Sequence, residues 1–293
     1  MAQVEYKIGF IGAGNMGGAI IAGLLDAQIC NPEKIFFFDT SRDRLQSLHD
    51  QYGVISLASG AAVVETADVI VFAVKPQTMK PVLSELASKH VFAKTIDRKL
   101  ILSIAAGIRI STFEDYVYRD LDALQQARFP ILRAMPNTPA LVRSGMTGLC
   151  ANRHATPADV AMIRHLLSAV GNIIDCTEHE IDAVTAVSGS GPAYCFYLAE
   201  AMVEAGILLG FAPAVAAELT VNTLKGAAAM LENRSESPET LRRNVTSPGG
   251  TTEAAIRVLD DHAVKQALVS AIMAAAKRSR ELSAWSGPEG MAP

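Results

Sequence analysis

The sequence has few cysteines, and those it has stand far apart. The four are Cys30, Cys150, Cys176 and Cys195, and no two of them form a C-x-x-C pair. This pattern lacks both the ligand spacing of a metal site and the dense cysteine framework of a small disulfide-stapled domain. We therefore expect no metal site, and reduced thiols in a cytoplasmic protein.

An excess of positive charge is also missing. The 293 residues carry a net charge of −4 at pH 7, which leaves no basic footprint for nucleic acid or an anionic membrane. The first residues lack the basic and apolar regions of a signal peptide. The most apolar stretch, residues 193–211, contains Glu200 and Glu204, which favours a buried helix over a membrane span.

What is present indicates a folded chain of about two domains. Half of the residues are apolar and 19% are charged, so global disorder is excluded. Apolar residues 7–11 are followed at once by a glycine-rich turn and then by an apolar segment typical of a helix. The turn consists of Gly12, Ala13, Gly14, Asn15, Met16 and Gly17.

This order of strand, glycine turn and helix is typical of dinucleotide binding. Gly12 permits the tight turn, Gly14 places no Cβ between the backbone and a pyrophosphate, and Gly17 lets the helix pack close to the strand. The start of the helix offers unpaired N–H groups and the positive end of its dipole to phosphates. The alternative is a glycine-rich turn in an α/β domain that binds no nucleotide.

Strands and helices alternate up to about residue 150, which predicts a parallel sheet with right-handed crossovers. We predict strands at residues 7–11, 35–38, 68–74, 100–107 and 131–135, and a last edge strand at 172–176. Ligands of such sheets bind beyond the carboxyl ends of the strands. Those ends would gather Gly12, Asp39 and residues 74–76, 105–107 and 135–139 into one crevice.

The end of the second strand leaves the choice between NAD and NADP open. Asp39 lies at about the distance from Gly17 at which an acid pairs with the ribose hydroxyls of NAD. Ser41, Arg42 and Arg44 follow and would suit the extra phosphate of NADP. Alternatively, this stretch simply caps the next helix.

Two further strand ends carry candidate cofactor contacts. Lys75 touches the cofactor or substrate, or is a solvated lysine beside a helix that begins at Pro76. Ala105 and Ala106 are small enough for a flat nicotinamide to approach, or reflect a tightly packed turn.

The second half of the chain is predicted to be helical, and its helices begin at recognisable capping motifs. One of them is the capping box with proline at residues 156–159. An α/β half followed by an all-α half predicts two domains, residues 1–176 and 177–293. The helix after Pro192 is apolar nearly all round, so we expect a second subunit to cover part of it, forming a homodimer. A central helix inside one bundle is the alternative.

Two loops in this half carry small and hydroxyl residues. One is residues 188–192, which include Ser190; the other is residues 244–252, which end at the start of a helix. The backbone N–H groups of Gly250, Thr251 and Thr252, with the hydroxyls, predict a second anion site that suits a carboxylate. The alternative is a turn and a helix cap.

Five motifs occur together and in order. They are F-I-G-A-G-N-M-G at 10–17, A-V-K-P at 73–76, R-A-M-P-N-T-P at 133–139, V-S-G-S-G-P-A-Y at 187–194 and T-S-P-G-G-T-T at 246–252. With them the chain is similar to the pyrroline-5-carboxylate reductases over nearly its whole length. That family reduces 1-pyrroline-5-carboxylate to proline with a nicotinamide cofactor.

The resemblance implies a Rossmann domain followed by a helical domain that interlocks in a dimer, with assembly of dimers into a decamer. It places NADPH or NADH, with NADPH favoured, on residues 12–16, near Ser41 and on Ala73, Val74, Lys75 and Pro76, with Ala105 and Ala106 beside the nicotinamide. It places the substrate on Asn244 and residues 250–252, with Thr252 reaching the ring nitrogen; Ser190, in its own motif, is a further substrate candidate.

Two departures from the family pattern stand out. Members that use NADPH often lack an acid at the position of Asp39, which leaves a strict preference for NADP open. Residues 114–129 also form a longer segment than in typical members.

The predicted reaction needs little side-chain chemistry. Hydride passes to the C5=N carbon, and a protonated imine is electrophilic enough for positioning and charge placement to suffice. Thr252 is the single catalytic candidate. The alternatives are a β-hydroxyacid-type dehydrogenase, for which Lys225 would be the acid, and a cofactor- or vitamin-B6-binding regulator without turnover.

Overall fold

A computed structural model describes residues 5–233 and 235–284, apart from the side chains of residues 233 and 284. Contacts divide the chain into two compact units. One comprises residues up to Gly189 together with the chain from Ala276, and the other is Ser190–Ala275. None of the helices in the described ranges is long and apolar enough to cross a membrane.

The first unit is built on an eight-stranded sheet with the order β3-β2-β1-β4-β5-β6-β7-β8. All neighbouring strands pair in parallel except β6 and β7. The strands are β1 Ile8–Ile11, β2 Ile35–Phe38, β3 Ile55–Ser56, β4 Val69–Phe72, β5 Leu100–Ser103, β6 Ile131–Met135, β7 Gly145–Ala151 and β8 Gly171–Asp175. The sheet confirms the predicted α/β class and all six predicted strands, with β4 and β5 ending earlier than expected.

Helices cover both faces of the sheet, and each face has its own core. On one face Ile20, Ile21 and Leu24 pack in a buried cluster with β1 residues such as Phe10. On the other, Val63, Leu83 and Phe113 pack with Phe72. Strands buried on both sides, such as β4 with all four residues inside, explain why the sequence shows continuous apolar runs there rather than alternation.

Fourteen α-helices are described. In the first unit they are α1 Asn15–Asp26, α2 Arg42–Tyr52, α3 Gly60–Thr66, α4 Pro76–Ser88, α5 Val91–Lys94, α6 Ile110–Val117, α7 Ala123–Gln126, α8 Pro157–Leu167 and α9 Ile181–Val184. The others are α10 Gly191–Leu208, α11 Pro213–Asn233, α12 Pro238–Asn244, α13 Thr251–Asp261 and α14 Val264–Ala284, of which α14 continues into the first unit.

Two predicted helix starts are confirmed in detail. Thr156 and Asp159 form a complete capping box with Pro157 at the first helical position. Pro76 likewise begins α4. Such starts depend on residues within four positions of each other, which is why the sequence alone reveals them.

Residues 191–208 form a helix, but the chain by itself does not bury it, and the expectation that a second subunit covers it stays a prediction. No residue of α10 is buried, and Tyr197 retains 74% of its exposure. The helix packs against α11, where an added Cβ at Gly206 would lie 2.9 Å from the Cβ of Ala216. A central helix enclosed in one bundle is therefore wrong.

The segment 188–192 is helical rather than a loop. A π-helical turn, Thr185–Gly189, leads directly into α10, with Ser190 between them. Single π-turns are rare and frequently lie at functional sites.

Candidate functional site

Strands β1 and β4 lie side by side near the centre of the sheet, where the sequence predicts a crevice. Ile11, the last residue of β1, pairs with Phe72, the last residue of β4. Helix α1, which follows β1, packs on one face, whereas α4, which follows β4, packs on the other. The chain thus diverges at this point, and such a switch point is where open α/β sheets bind ligands.

The glycine turn has the geometry that its sequence predicts. Gly12 has a φ of +86°, and a Cβ there would lie 2.6 Å from Val74 Cγ1 and 2.8 Å from Val74 N. A Cβ on Gly17 would lie 3.0 Å from the carbonyl oxygen of Gly12. The tight turn at Gly12 and the close packing at Gly17 are therefore confirmed.

Gly14 is a glycine for a different reason. It is the N-cap of α1 and no side chain caps it, and a Cβ added to it would meet nothing within 4 Å. The N–H groups of the first helical turn have no partner within the helix. Open space, free amides and the positive helix end fit the diphosphate of a dinucleotide.

The residues after β2 connect this turn with the next helix. The Asp39 carboxylate accepts the N–H of Ala13 at 2.8 Å and that of Ser41 at 2.9 Å. Ser41 caps α2 by accepting from the N–H of Arg44, so the predicted cap is confirmed. Arg44 Nη2 donates to Asn15 Oδ1 at 3.3 Å, whereas Arg42 is exposed.

The other cofactor candidates lie at the ends of β4 and β5. Ala73 and Val74 are half-buried, and Val74 forms the wall against Gly12. Lys75 is the exposed N-cap of α4, and its carbonyl accepts from the Thr78 hydroxyl at 2.9 Å. Beyond β5, Ala105 is buried and Ala106 exposed.

Asn137 lies in one of the five motifs and in the predicted crevice range 135–139, but its sequence position assigns it no role of its own. Its side-chain amide donates to the carbonyl and hydroxyl of Ser188 at 3.1 and 3.2 Å, and its oxygen accepts from Met146 N at 2.8 Å. It therefore ties the end of β6 and the start of β7 to the π-helical turn. The sequence signal for this role is the P-N-T-P pattern, which places the amide side chain of Asn137 between two prolines.

Arg133 of β6 and Glu178, which precedes α9, form an ion pair. The Arg133 side chain is 4% exposed, and its Nη1 lies 3.2 Å from Glu178 Oε1. The same oxygen accepts the N–H of Ile110 at 2.6 Å. The pair thereby holds the beginning of α6, which follows Ala105 and Ala106, against the segment that precedes α9.

Buried thiols in this unit supply no nucleophile. Burial, with a smaller contribution from Glu178, raises the pKa of the Cys150 thiol to about 12. Burial likewise raises the pKa of Cys30 to about 11. Both side chains are therefore neutral near pH 7, and thiolate chemistry at these positions is disfavoured.

The predicted anion site in the second unit is a turn followed by a helix start. Gly250 N donates to Ser247 O at 3.0 Å, and Gly249 has a φ of +71°. Proline and a positive-φ glycine at the two central positions make this a type II turn. Gly250 is the N-cap of α13, again without a side-chain cap.

The turn decides which amides remain available. The Gly250 amide is engaged with Ser247, and the Gly249 amide donates to Glu253 Oε2 at 2.8 Å. The first helical turn then leaves the amides of Thr251 and Thr252 without an intrahelical partner. Thr252 is half-buried and Thr251 exposed.

The two remaining substrate candidates differ in their contacts. Asn244 ends α12, and its side-chain amide donates to Glu236 Oε1 at 3.0 Å. Ser190 is the half-buried N-cap of α10, and its hydroxyl makes no capping hydrogen bond.

Two family models match the chain. The model for pyrroline-5-carboxylate reductase dimerisation covers residues 178–282, and the model described as NADP oxidoreductase, coenzyme F420-dependent, covers residues 7–107. The predicted boundary between residues 1–176 and 177–293 stays a prediction, since the dimerisation model starts at 178 and the contact units divide after Gly189.

Curated relatives match over nearly the full length. The pyrroline-5-carboxylate reductase of Pseudomonas aeruginosa is 42% identical over 278 residues, covering 94% of this chain and 97% of that protein. The enzyme of Escherichia coli is 39% identical, covering 96% and 99%.

Solved structures agree. A pyrroline-5-carboxylate reductase from Coxiella burnetii aligns with a TM-score of 0.85 at 37% identity, covering 96% of this chain and all of that one. The pyrroline carboxylate reductase of Plasmodium falciparum, solved with NADP bound, aligns with a TM-score of 0.83 at 28% identity, covering 97% and 100%.

Proposed function

The chain belongs to the pyrroline-5-carboxylate reductase family, and from that premise we propose how its own residues carry out the NAD(P)H-dependent reduction of 1-pyrroline-5-carboxylate to L-proline. The observation that supports the proposal most is a shared feature of α1 and α13. Both helices begin at a glycine N-cap without a side-chain cap, so each offers its first amides to an anion.

The first anion is the diphosphate of the cofactor. The amides at the start of α1 bind the diphosphate, and Gly14 leaves room for it. Val74 packs against Gly12 on the other side of the turn. When bound, the nicotinamide supplies the hydride that reduces the C5=N bond. The small side chains of Ala105 and Ala106 allow the ring to lie against the end of β5.

The second anion is the substrate carboxylate. The amides of Thr251 and Thr252 bind it at the start of α13, with Gly250 shaping the turn and Asn244 and Ser190 as further proposed contacts. The half-buried hydroxyl of Thr252 orients the ring nitrogen, donating to the neutral imine or accepting from the iminium. The proton comes with the substrate or from water, and the protein contributes orientation and charge placement.

Replacing Thr252 tests this arrangement. We expect Thr252→Ala to lower kcat/KM for the pyrroline substrate by about ten- to a thousand-fold, because the hydroxyl contact would be lost in the transition state. Thr252→Ser keeps the hydroxyl and should retain most of the activity. Oxidation of NADPH measures both variants, and an unchanged kcat/KM for Thr252→Ala would remove this residue from the mechanism.

The same assay run with NADH settles the choice of cofactor. We propose NADPH as the preferred reductant, supported by the family resemblance and by Arg42 and Arg44 beside the crevice. The carboxylate of Asp39 is the feature that argues for NADH. A higher kcat/KM with NADH would reverse the proposed preference without affecting the proposed reaction.

A homodimer is the proposed form of the enzyme. The exposed α10 carries Phe196, Tyr197 and Leu208 at 64%, 74% and 81% exposure, and several large apolar side chains exposed on one helix mark an interface. A second copy of the chain is the proposed cover, because the dimerisation model spans residues 178–282. Assembly of dimers into a decamer and a cytoplasmic location stay predictions.

The hydroxyacid dehydrogenase alternative depends on an acid at Lys225. That lysine is exposed on α11, and no feature of its surroundings in the described chain suggests an active site. Activity on β-hydroxyacids without activity on 1-pyrroline-5-carboxylate would favour the alternative. A regulator without turnover would show cofactor binding and no oxidation of NADPH or NADH.

A further inference from the structure

Asp39 makes two contacts that its sequence position does not reveal. One carboxylate oxygen accepts the N–H of Ala13 at 2.8 Å, and the other accepts the N–H of Ser41 at 2.9 Å. Ala13 is fully buried inside the glycine turn. Ser41 is the N-cap of α2. A single side chain therefore connects the phosphate-binding turn to the next strand-to-helix junction.

The first of these contacts continues the sheet into the turn. The N–H of Gly12 donates to the carbonyl of Phe38 at 2.8 Å, so consecutive amides of the turn are held by consecutive residues at the end of β2. Beyond Phe38, the acceptor for the Ala13 amide is the Asp39 side chain. A buried N–H without an acceptor is costly, so this carboxylate stabilises the conformation that leaves the following amides free.

The charges around Asp39 are mixed. Arg42 is exposed on α2, and Arg44 lies over the start of α1 through its contact with Asn15 at 3.3 Å. Asp43 adds one negative charge in the first turn of α2. The starts of α1 and α2 both present positive dipole ends. The negative charge of Asp39 is thus offset locally, which reduces its repulsion of a 2′-phosphate.

Resting on the proposed function, we propose that Asp39 is a positioning residue for the glycine turn and acts alike on NADPH and NADH. It is not the residue that selects NADH by accepting from the ribose hydroxyls. An acid at the end of the second strand is usually interpreted as a ligand of the ribose hydroxyls of NAD; here its role is to hold the backbone of the glycine turn. It also explains how an acid can stand there in a chain that uses a 2′-phosphorylated cofactor.

Dissociation constants of NADPH and NADH, measured by cofactor fluorescence without substrate, test the proposal independently of turnover. Asp39→Asn keeps one acceptor oxygen and cannot serve both amides. We expect both dissociation constants to rise about tenfold, as loss of a charge-assisted hydrogen bond implies. Their ratio should change less than about threefold, since the turn holds the diphosphate that both cofactors share.

Steady-state kinetics distinguish weaker cofactor binding from general damage to the fold, which would also lower kcat. The KM of each cofactor should rise, whereas kcat and the KM of the pyrroline substrate, both at saturating cofactor, should stay close to the wild-type values. A tenfold or larger shift of the ratio toward NADPH would identify Asp39 as a selector and overturn the proposal. Unchanged binding of both cofactors would overturn it as well.

Two further variants separate geometry from charge. Asp39→Glu keeps the charge but displaces both oxygens, so it should weaken both cofactors alike; retained tight binding of NADH alone would contradict the proposal. It also carries the test if Asp39→Asn does not fold. Asp43→Asn removes a nearby charge from α2 without touching the turn, and it should change neither dissociation constant more than about twofold. A wild-type protein that binds NADPH and NADH but does not reduce 1-pyrroline-5-carboxylate would count against the proposed reaction only.

Discussion

Adding one methyl group at Gly14 should separate cofactor binding from folding. The substitution Gly14→Ala places a Cβ in space that is empty for 4 Å around. The backbone at this position, with φ −63° and ψ −164°, is open to any residue. The methyl group therefore costs nothing sterically in the protein itself. It stands where the diphosphate of the cofactor is proposed to bind.

The expected change in the free energy of unfolding is small. Alanine is a poorer N-cap than glycine, so we expect a loss of about 0.5 to 1 kcal/mol. The neighbouring substitution Gly12→Ala should behave differently. It forces alanine to a φ of +86° and brings its Cβ within 2.6–2.9 Å of Val74 and Ala73. Strain alone costs about 1 to 3 kcal/mol, and the clashes add to it.

Urea unfolding and cofactor fluorescence, at one fixed protein concentration, measure the two effects. Gly14→Ala should unfold close to the wild type but bind NADPH about ten- to a hundredfold more weakly, because the amide contacts to the diphosphate are charge-assisted. Gly12→Ala should lose stability first. Tight NADPH binding by a well-folded Gly14→Ala protein would refute the assignment of the α1 start as the diphosphate site.

The remaining predictions concern the core and the interface. Asp159→Asn should destabilise the fold by about 2 to 3 kcal/mol in urea unfolding, because a buried acid that accepts two hydrogen bonds from Arg98, at 2.7 and 2.6 Å, would be lost. Burial raises the pKa of Asp159, but the hydrogen bonds from Arg98 and Thr156 outweigh it and hold the pKa below its usual value. The stabilisation by Asp159 should therefore be complete above about pH 4 and disappear as the pH falls further. Below pH 4 the wild type should lose more stability than Asp159→Asn does, and an equal loss in the two proteins would contradict this. Phe196→Asp should yield a folded monomer in light scattering, whereas Leu124→Asp, on a side chain outside α10 that is even more exposed, at 83% against 64%, should remain dimeric; a Phe196→Asp dimer would contradict the proposed interface.

Much of the first unit follows from local sequence. The turn from Gly12 to Gly17, the proline at the start of α4 and the capping box of Thr156 and Asp159 are all set by residues a few positions apart. Their geometry depends on steric limits of φ and on hydrogen bonds to the nearest amides. The continuous apolar strands also predict burial on both faces, and hence helices on both sides of the sheet.

Other features escaped prediction because their causes are distant in the sequence. Strand β7 is rich in small residues and shows no alternation; Gly145 and Gly148 are needed because Val170 and Val184 approach them, at 2.8 Å from an added Cβ in each case. The place of β7 in the sheet therefore depends on residues far along the chain. The role of Asn137 likewise depends on Ser188 and Met146, neither of which a local pattern connects to it.

The sequence by itself determined the alternation of strands and helices in the first half, the glycine turn, the helix caps and the family, because these depend on residue types at short spacing. Only the tertiary structure decided that Asp39 holds Ala13, that the Gly250 amide is already engaged, and that α10 is left uncovered by its own chain. Each of those outcomes depends on which donors, acceptors and apolar surfaces meet after folding. Hydrogen bonds and burial are satisfied in three dimensions, and a linear pattern does not specify the partner.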